Sequence, residues 1–280
     1  MKEKFQTKKS LGQHFLTTPL VPSWMCDAAD IKTGDTVLEI GPGTGALTRE
    51  LLVRGATVIA LEADIRATVV LAELFADAIS RGQLTVHHAD VRHVEVASLA
   101  GLQNHSFKVV ANIPYYLSGL LFRIMLESEF QPSLLVYLVQ KEVAKRITAS
   151  LDRKEKESLL SLSVKAYGEV KYVRAVSRGH FAPSPNVDSA IVLVQNIHRS
   201  NFMTIQEGFF FELLHIGFGQ KRKQLLGNLS KFYDRNTLTN IFSTLSLPVF
   251  TRAEDMSLTI WLRLVESLHG ITRSTGQSPE

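Results

Sequence analysis

The sequence predicts an α/β fold, in which a mostly parallel sheet carries helices on both faces and a small all-α domain follows. Short apolar runs alternate with helical patterns over the first two thirds of the chain, which is typical of parallel sheets. Two further β-rich runs, Val170–Ser177 and Ala190–Ile197, have only a loop between them, which favours antiparallel strands at a sheet edge. From Met203 onward the apolar residues recur at helical spacing.

The individual elements follow from these patterns. The parallel strands are predicted at Thr36–Gly41, Thr57–Glu62, Leu84–Asp90, Phe107–Asn112 and Leu134–Val139. The helices between them are predicted at Thr44–Arg54, Ile65–Arg81, Ser118–Glu129 and Gln140–Ala149. The loss of strand signal near residue 200 divides the chain into a first domain over 1–199 and a helical domain over 200–280.

Composition narrows the class of protein. The 280 residues are 45% hydrophobic and 21% charged, which is ordinary for a globular protein with a proper core. The single cysteine, Cys26, has no disulfide partner, no signal peptide is evident at the N-terminus, and no apolar run has the length of a membrane span. These features predict a soluble, cytoplasmic protein. No His or Cys spacing suggests a metal, and neither a G-x-S-x-G elbow nor a Walker lysine is present.

The basic residues are clustered, although the net charge is only +4. The clusters are Lys2, Lys4, Lys8 and Lys9; Lys141, Lys145 and Arg146; Arg153, Lys154 and Lys156; Lys171, Arg174 and Arg178; and Lys221, Arg222 and Lys223. Each cluster taken singly is consistent with a solvated helix face or loop. Several on one chain favour a polyanionic partner, of which nucleic acid is the usual one.

A glycine-rich turn follows the first predicted strand directly. Glycines at positions 41, 43 and 45 let the backbone turn tightly and approach a ligand closely. Glu62 ends the next strand, where a carboxylate accepts hydrogen bonds from both ribose hydroxyls of a nucleotide-like ligand. The pattern differs from the dinucleotide fingerprint, and a turn that only needs glycine is the alternative. The strand context and Glu62 favour ligand binding.

Polar residues also end the third and fourth strands. Asp90 is a candidate acceptor for an adenine amino group, and Asn112 begins the stretch Asn112–Tyr116. Asn112 offers an amide, Pro114 turns the Ile113 carbonyl outward, and Tyr115 supplies a flat ring for stacking. Taken alone, these five residues fit equally well a strand that ends in a proline turn. Their position in a row of carboxyl strand ends favours a ligand site.

A second candidate element is the loop Phe181–Ser189, which its prolines make stiff. This loop is either a long hairpin connection or a functional element that brings Phe181 to the opposite face of a flipped base.

Taken together, these motifs resemble the ribosomal RNA adenine dimethyltransferases. The resemblance runs from about Lys8 to Leu268 and rests on these segments in order: Gln13–Leu16, Glu39–Gly45, Glu62, Asp90, Asn112–Tyr116, Gln140–Val143 and Phe181–Ser189. The helical tail with Phe218–Lys223 is most similar to the bacterial small-subunit rRNA enzymes. These dimethylate the N6 amines of two adjacent adenosines near the 3′ end of that RNA during ribosome assembly.

The resemblance implies a Rossmann-like class I methyltransferase sheet and S-adenosylmethionine as the methyl donor. It places His14, Leu16, Gly41, Gly43, Glu62, Asp90 and Asn112 at the donor, and Asn112, Tyr115 and Phe181 at the target base. It also implies RNA contacts at Lys221, Arg222 and Lys223, an immature small subunit as the partner, and a monomer.

Two alternatives share the same motifs. One is a large-subunit rRNA adenine N6-methyltransferase of the antibiotic-resistance type, and the other is a non-catalytic RNA-binding assembly or transcription factor. Two positions depart from the usual family pattern. His14 stands where the family usually has Asn, and Glu157–Ser161 replaces a usual Tyr-Gly-x-Leu-Ser stretch.

Overall fold

The structure is a computed structural model that describes residues 14–220 and 222–272. Its strands are β1 Phe15–Leu16, β2 Thr36–Ile40, β3 Thr57–Glu62, β4 Leu84–His88, β5 Phe107–Asn112, β6 Leu134–Gln140, β7 Glu169–Val176, β8 Phe181–Ala182 and β9 Ser189–Gln195. Its longer helices are α1 Leu20–Ala28, α2 Ala46–Val53, α3 Ile65–Leu74, α4 Ala76–Ser80, α5 Ser118–Leu126, α6 Lys141–Ile147, α7 Leu159–Lys165, α8 Glu207–Phe218, α9 Leu225–Leu229, α10 Arg235–Thr244 and α11 Leu258–Leu268.

Seven of these strands form one sheet in the order β4-β3-β2-β5-β6-β9-β7. The pairs from β4 to β6 are parallel, whereas β9 is antiparallel to both β6 and β7. The strand order reverses between β2 and β5, which creates the crevice where open α/β sheets bind ligands. The predicted α/β class, the parallel strands and the antiparallel pair at the edge are confirmed.

Helices cover both faces of the sheet. On one face, side chains from α1, α2 and α3 pack with inward residues of the strands in a single core, as Met25, Leu51 and Leu71 do with Val58 and Val136. On the other face, Phe122 of α5 packs edge-on against the buried ring of Tyr137. Burial of strand residues on both faces explains why the strands read as continuous apolar runs.

The predicted helix over Ile65–Arg81 is interrupted in the structure. Phe75 leaves the helical region with φ −118° and separates α3 from α4. Its ring is buried in the core beside the glycine turn. No helix is predicted from the sequence over Leu159–Lys165, where α7 begins at a reciprocal cap between Ser158 and Ser161.

Contacts between Cα atoms divide the described chain into two compact units. One unit comprises residues 14–145 with Gly168–Ile197, and the other comprises Arg146–Tyr167 with the described residues after Ile197. The second unit is helical, and its core contains Phe210, Leu214 and Trp261. The assignment of donor binding and RNA binding to separate domains stays a prediction. Over residues 14–220 and 222–272, no helix has the length and apolar character needed to cross a membrane.

Candidate active site

A cavity opens at the carboxyl ends of β2, β3, β4 and β5, where the sheet order reverses. Among its lining residues are the predicted His14, Gly41, Gly43, Glu62, Asp90, Asn112 and Tyr115. These residues come from separate strand ends and from the segment before β1, so the sheet topology brings them together. The predicted Leu16 and Phe181 are absent from the lining.

The glycine turn shapes one wall of the cavity. Gly41, Gly43 and Gly45 all have positive φ, between 57° and 78°, so side chains are disfavoured at each position. A Cβ at Gly43 would lie 2.8 Å from the Phe15 ring, and one at Gly45 would lie 2.5 Å from Phe75. A Cβ at Gly41 would meet no atom within 4 Å. Gly43 and Gly45 therefore allow close packing with Phe15 and Phe75, and Gly43 also lines the cavity. Gly41 leaves open space at the cavity.

Glu62 organises the same wall from the end of β3. Its carboxylate accepts hydrogen bonds from the backbone N–H of Gly43 at 2.9 Å and of Asp64 at 2.8 Å. Burial raises the pKa of Glu62, and the two backbone N–H donors oppose that rise. The side chain is thereby held at the cavity, where its remaining lone pairs are suited to hydroxyl donors.

Asp90 lies beyond β4 and is held by Arg92. Both carboxylate oxygens accept from the Arg92 guanidinium, at 2.6 Å to 3.0 Å. These hydrogen bonds lower the pKa of Asp90, which keeps the carboxylate charged and in a fixed orientation. Arg92 itself lines the cavity.

Asn112 is oriented by the chain segment that precedes β1. Its Nδ2 donates to the backbone carbonyl of His14 at 3.1 Å. Because the amide nitrogen is engaged there, the carbonyl Oδ1 of Asn112 is the acceptor that remains for a ligand in the cavity. His14 is anchored in turn by a 2.8 Å hydrogen bond between its Nδ1 and the carbonyl oxygen of Pro183.

Tyr115 is fixed at both ends of its side chain. The imidazole of His14 stacks on its ring with centroids 5.6 Å apart, and its hydroxyl hydrogen-bonds to Ser189 Oγ at 2.7 Å. Burial raises the pKa of Tyr115, so the phenol stays neutral at physiological pH. The stretch after β5 is therefore held by the segment before β1 and by the start of β9.

Leu16 and Phe181 lie beside the cavity, in the core. They face each other in the short antiparallel pair of β1 and β8. The side chain of Phe181 is 4% exposed and packs in the same apolar cluster as Leu16. A donor contact by Leu16 and base stacking by Phe181 stay predictions.

Some residues at the site are absent from the sequence-based set. Phe15, Arg92 and Tyr116 line the cavity, and Ser189 holds Tyr115. The sequence carried a signal for Tyr116 and Ser189, because both stand within motifs already singled out. Phe15 also stands within such a motif, Gln13–Leu16, whereas Arg92 had only its position two residues after Asp90.

Of the predicted RNA contacts, Lys221 lies outside the described residues. Arg222 and Lys223 are exposed in the turn before α9. Within the part of the chain that the structure describes, no group of three or more His, Cys, Asp or Glu side chains is arranged to hold a metal ion.

The sheet order, the glycine turn and the row of polar strand ends define the class I methyltransferase fold, and two solved structures agree. A dimethyladenosine transferase from Plasmodium falciparum superimposes with a TM-score of 0.75 at 28% identity, over 92% of this chain and 99% of that one. The 23S rRNA methyltransferase ErmE superimposes with a TM-score of 0.69 at 24% identity, over 91% of this chain and 99% of that one.

Sequence comparison places the chain within that class. The sequence model of the ribosomal RNA adenine dimethylases matches residues 4–269. The ribosomal RNA small subunit methyltransferase A of Dehalococcoides mccartyi is 38% identical over 261 residues, which are 92% of this chain and 87% of that protein. The chain belongs to the ribosomal RNA adenine dimethylase family, and it is an enzyme.

Proposed function

We propose that this enzyme uses S-adenosylmethionine to dimethylate the N6 amines of two adjacent adenosines near the 3′ end of small-subunit rRNA. The observation that carries the proposal is the Asn112 amide, whose nitrogen is held by the His14 carbonyl so that its oxygen is left to accept from an amine. The small-subunit methyltransferase of D. mccartyi, at 38% identity over 92% of the chain, supports the choice of RNA.

The cavity fits the methyl donor, which supplies an electrophilic methyl group when bound. Gly41 leaves room for the amino-acid part of the donor, because a side chain there would point into open space. Glu62 would accept from the ribose hydroxyls, and Asp90 would accept from the adenine amino group. The Arg92 guanidinium holds that Asp90 carboxylate in place for the contact.

The residues after β5 would bind the target adenine. The N6 amine is a poor nucleophile, because its lone pair is delocalised into the ring. Hydrogen bonds from the amine to Asn112 Oδ1 and to the Ile113 carbonyl favour a pyramidal nitrogen whose lone pair points at the donor. Positioning of this kind supplies most of the acceleration.

Stacking completes the binding of a base that has left its neighbours. Tyr115 is the platform, and His14 already covers one face of its ring. The target base therefore takes the opposite face of Tyr115, or it displaces His14. A contribution from Phe181 requires its ring to leave the core, where it is now buried.

No strong base is required for the reaction. The carboxylates at the cavity are engaged, Asp90 by Arg92 and Glu62 by backbone N–H groups. The nitrogen becomes acidic once it is methylated, so its proton passes to solvent. We place the reaction on an immature small subunit in the cytoplasm, with the enzyme as a monomer and its helical domain in contact with RNA.

Removal of the Asn112 amide or the Tyr115 ring tests this mechanism. With Asn112→Ala or Tyr115→Ala, we expect methyl transfer to unmethylated small subunits to fall by about 100-fold or more, because the amine is no longer positioned. Transfer of labelled methyl groups under single-turnover conditions measures the effect. Gln103→Ala is the control, because it removes an exposed amide from the loop before β5. Near-normal transfer by Asn112→Ala would contradict the mechanism.

The substrate assignment has its own test. A large-subunit enzyme would methylate isolated large subunits or their RNA and leave small subunits unmodified. A non-catalytic factor would bind RNA tightly but show no donor binding by calorimetry. We expect transfer to small subunits alone, and two methyl groups on each of two adjacent adenosines when the products are mapped.

A further inference from the structure

We propose that the exposed edge of the sheet at β7 is a second RNA contact, in which Arg174 binds the phosphate backbone beside the target adenosine. The proposal rests on rRNA as the substrate and adds a contact surface to it. We define the β7 surface as Lys171, Arg174, Arg178 and His180 together with Trp24 of α1. All of these residues lie in the unit that holds the cavity.

The β7 surface is open to solvent. Residues 171–175 are all exposed. Among residues 14–220 and 222–272, β7 pairs only with β9, so no described strand pairs with its other edge. Arg178 is exposed as well, and its guanidinium donates to the carbonyl of Asn186 at 3.0 Å. Two acidic residues lie nearby. The Oδ1 of Asp188 accepts from the backbone N–H of Arg178 at 3.1 Å, and the carboxylate of Glu169, at the start of β7, accepts from the Gln195 side-chain amide at 3.1 Å.

Arg174 is held in place without being neutralised. Its guanidinium carbon lies 4.4 Å from the centroid of the Trp24 ring, and the edge of that ring meets His180 with centroids 5.8 Å apart. Among the described residues, Arg174 forms no ion pair and no side-chain hydrogen bond. Six other arginines pair with carboxylates: Arg54, Arg66, Arg92, Arg123, Arg153 and Arg199.

Because Arg174 stacks on an aromatic ring and is not paired with a carboxylate of the described residues, it is suited to bind an anion. A carboxylate partner occupies the N–H groups of a guanidinium and cancels its charge. An aromatic face orders the guanidinium but leaves both the charge and the N–H edge available. A planar, preorganised fork of donors matches the geometry of phosphate. Trp24 is therefore a positioning residue, and Arg174 makes the contact.

The surface also lies close to the reaction site. Arg174 is opposite Ile191 of β9, and Val176 is opposite Ser189, whose hydroxyl holds Tyr115. With strands about 4.8 Å apart and a rise of about 3.3 Å per residue, the Cα atoms of Arg174 and Ser189 are separated by roughly 8 Å. A backbone that leaves the cavity on this side reaches Arg174 within a few nucleotides.

A second explanation for these cations concerns aggregation. Basic side chains and bulges protect unpaired sheet edges, and the register of β7 shifts between Tyr172 and Arg174. That explanation accounts for Lys171 and the bulge, but it requires no aromatic platform under Arg174. The two explanations differ in whether Arg174 affects RNA affinity, which can be measured.

The test is the affinity of the full chain for unmethylated small subunits over a range of salt concentrations. We expect Arg174→Glu to weaken binding about 10-fold and to reduce the log–log salt slope by about one. Arg81→Glu is the matched control, because Arg81 is exposed just before β4, at the opposite end of the strands. Donor affinity should be unchanged in both variants, and circular dichroism should show both to be folded.

The role of Trp24 is tested by a double-mutant cycle. Trp24→Leu should weaken RNA binding in the wild-type background and have no further effect in the Arg174→Glu background, because the indole acts only through Arg174.

Equal affinity and slope for Arg174→Glu and Arg81→Glu would overturn the proposal, and aggregation without loss of affinity would assign the cations to edge protection. If the wild type binds subunits but transfers no methyl group, the proposed function fails while the binding measurements still decide this inference.

Discussion

At the scale of single residues, Glu39 shows how a motif residue can serve the fold. It stands in the glycine motif, yet its side chain is 1% exposed and is absent from the cavity lining. Its carboxyl accepts a 2.7 Å hydrogen bond from Thr48 Oγ1 and so joins β2 to α2. Burial raises the pKa of Glu39 to about 8, and the charge of Glu62 adds to that rise.

The raised pKa of Glu39 predicts a pH-dependent stability. Between pH 4.5 and about 8 the folded protein keeps a proton that the unfolded chain has lost, so its unfolding free energy falls as pH rises. Relative to Glu39→Gln, which carries no such proton, we expect the wild type to lose about 1.4 kcal/mol per pH unit inside this window. Denaturant unfolding at several pH values measures the difference. The control is Glu73→Gln, at an exposed site on α3. Its unfolding free energy should change with pH in the same way as that of the wild type.

At the scale of elements, the turn between β2 and α2 combines two tasks in three glycines. Gly43 and Gly45 allow close packing with Phe15 and Phe75, whereas Gly41 faces open space at the cavity. All three have positive φ, so sequence alone cannot separate the packing role from the binding role. The structure separates the two roles, because it shows which atoms a Cβ added at each glycine would meet.

We therefore expect alanine to act differently at the two ends of the turn. Both substitutions incur about 1–2 kcal/mol of backbone strain. Gly45→Ala also forces a methyl group against Phe75 and should lower the unfolding free energy more. Gly41→Ala should mainly weaken donor binding, since its methyl group enters the cavity. Calorimetry and denaturant unfolding separate the two effects.

The control for the glycine variants is Gly208→Ala in α8, where a Cβ meets nothing within 4 Å and φ is not positive. It should leave donor binding unchanged and cause no loss of stability. Donor affinity of Gly41→Ala equal to that of the wild type would show that Gly41 does not approach the donor.

At the scale of the whole molecule, the arrangement of charge matters more than its sum. The net charge is only +4, but exposed cations occur both on the β7 surface and at Arg222 and Lys223 of the helical unit. Phosphate contacts of this kind are independent of base sequence and depend on salt. With phosphate contacts in both units, each unit would contribute to the affinity for RNA. The choice of the base to be methylated would depend on the cavity.

Charge reversal in the helical unit tests this division of labour. We expect Arg222→Glu with Lys223→Glu to weaken binding to small subunits and to reduce the log–log salt slope by about two, with donor affinity unchanged. Lys32→Glu with Arg81→Glu makes the same change in net charge at exposed sites that precede strands of the sheet. Binding of both double variants is compared over the same salt series. An equal fall in donor affinity would mean that Arg222 and Lys223 have a structural role.

Much of the site was predictable because strand ends are local features of the sequence. Apolar runs that stop at Gly41, Glu62, Asp90 or Asn112 reveal where each strand ends, and parallel topology gathers those ends at one edge. Contacts between distant segments were not predictable in this way. His14 meets Asn112 and Pro183, and Trp24 meets Arg174, across separations that no periodicity records.

The sequence by itself determined the α/β class, the parallel strands with an antiparallel pair at the edge, the glycine turn and the set of polar strand ends. Only the tertiary structure decided how these groups are oriented. The Asn112 amide is oriented by its hydrogen bond to the His14 carbonyl, Asp90 is fixed by Arg92, and Phe181 is buried in the core. Arg174 stacks on the indole of Trp24 and forms no ion pair within the described part of the chain. The physical reason is that periodicity and turn chemistry act over a few residues, whereas the orientation and charge of a side chain depend on neighbours that are distant in sequence.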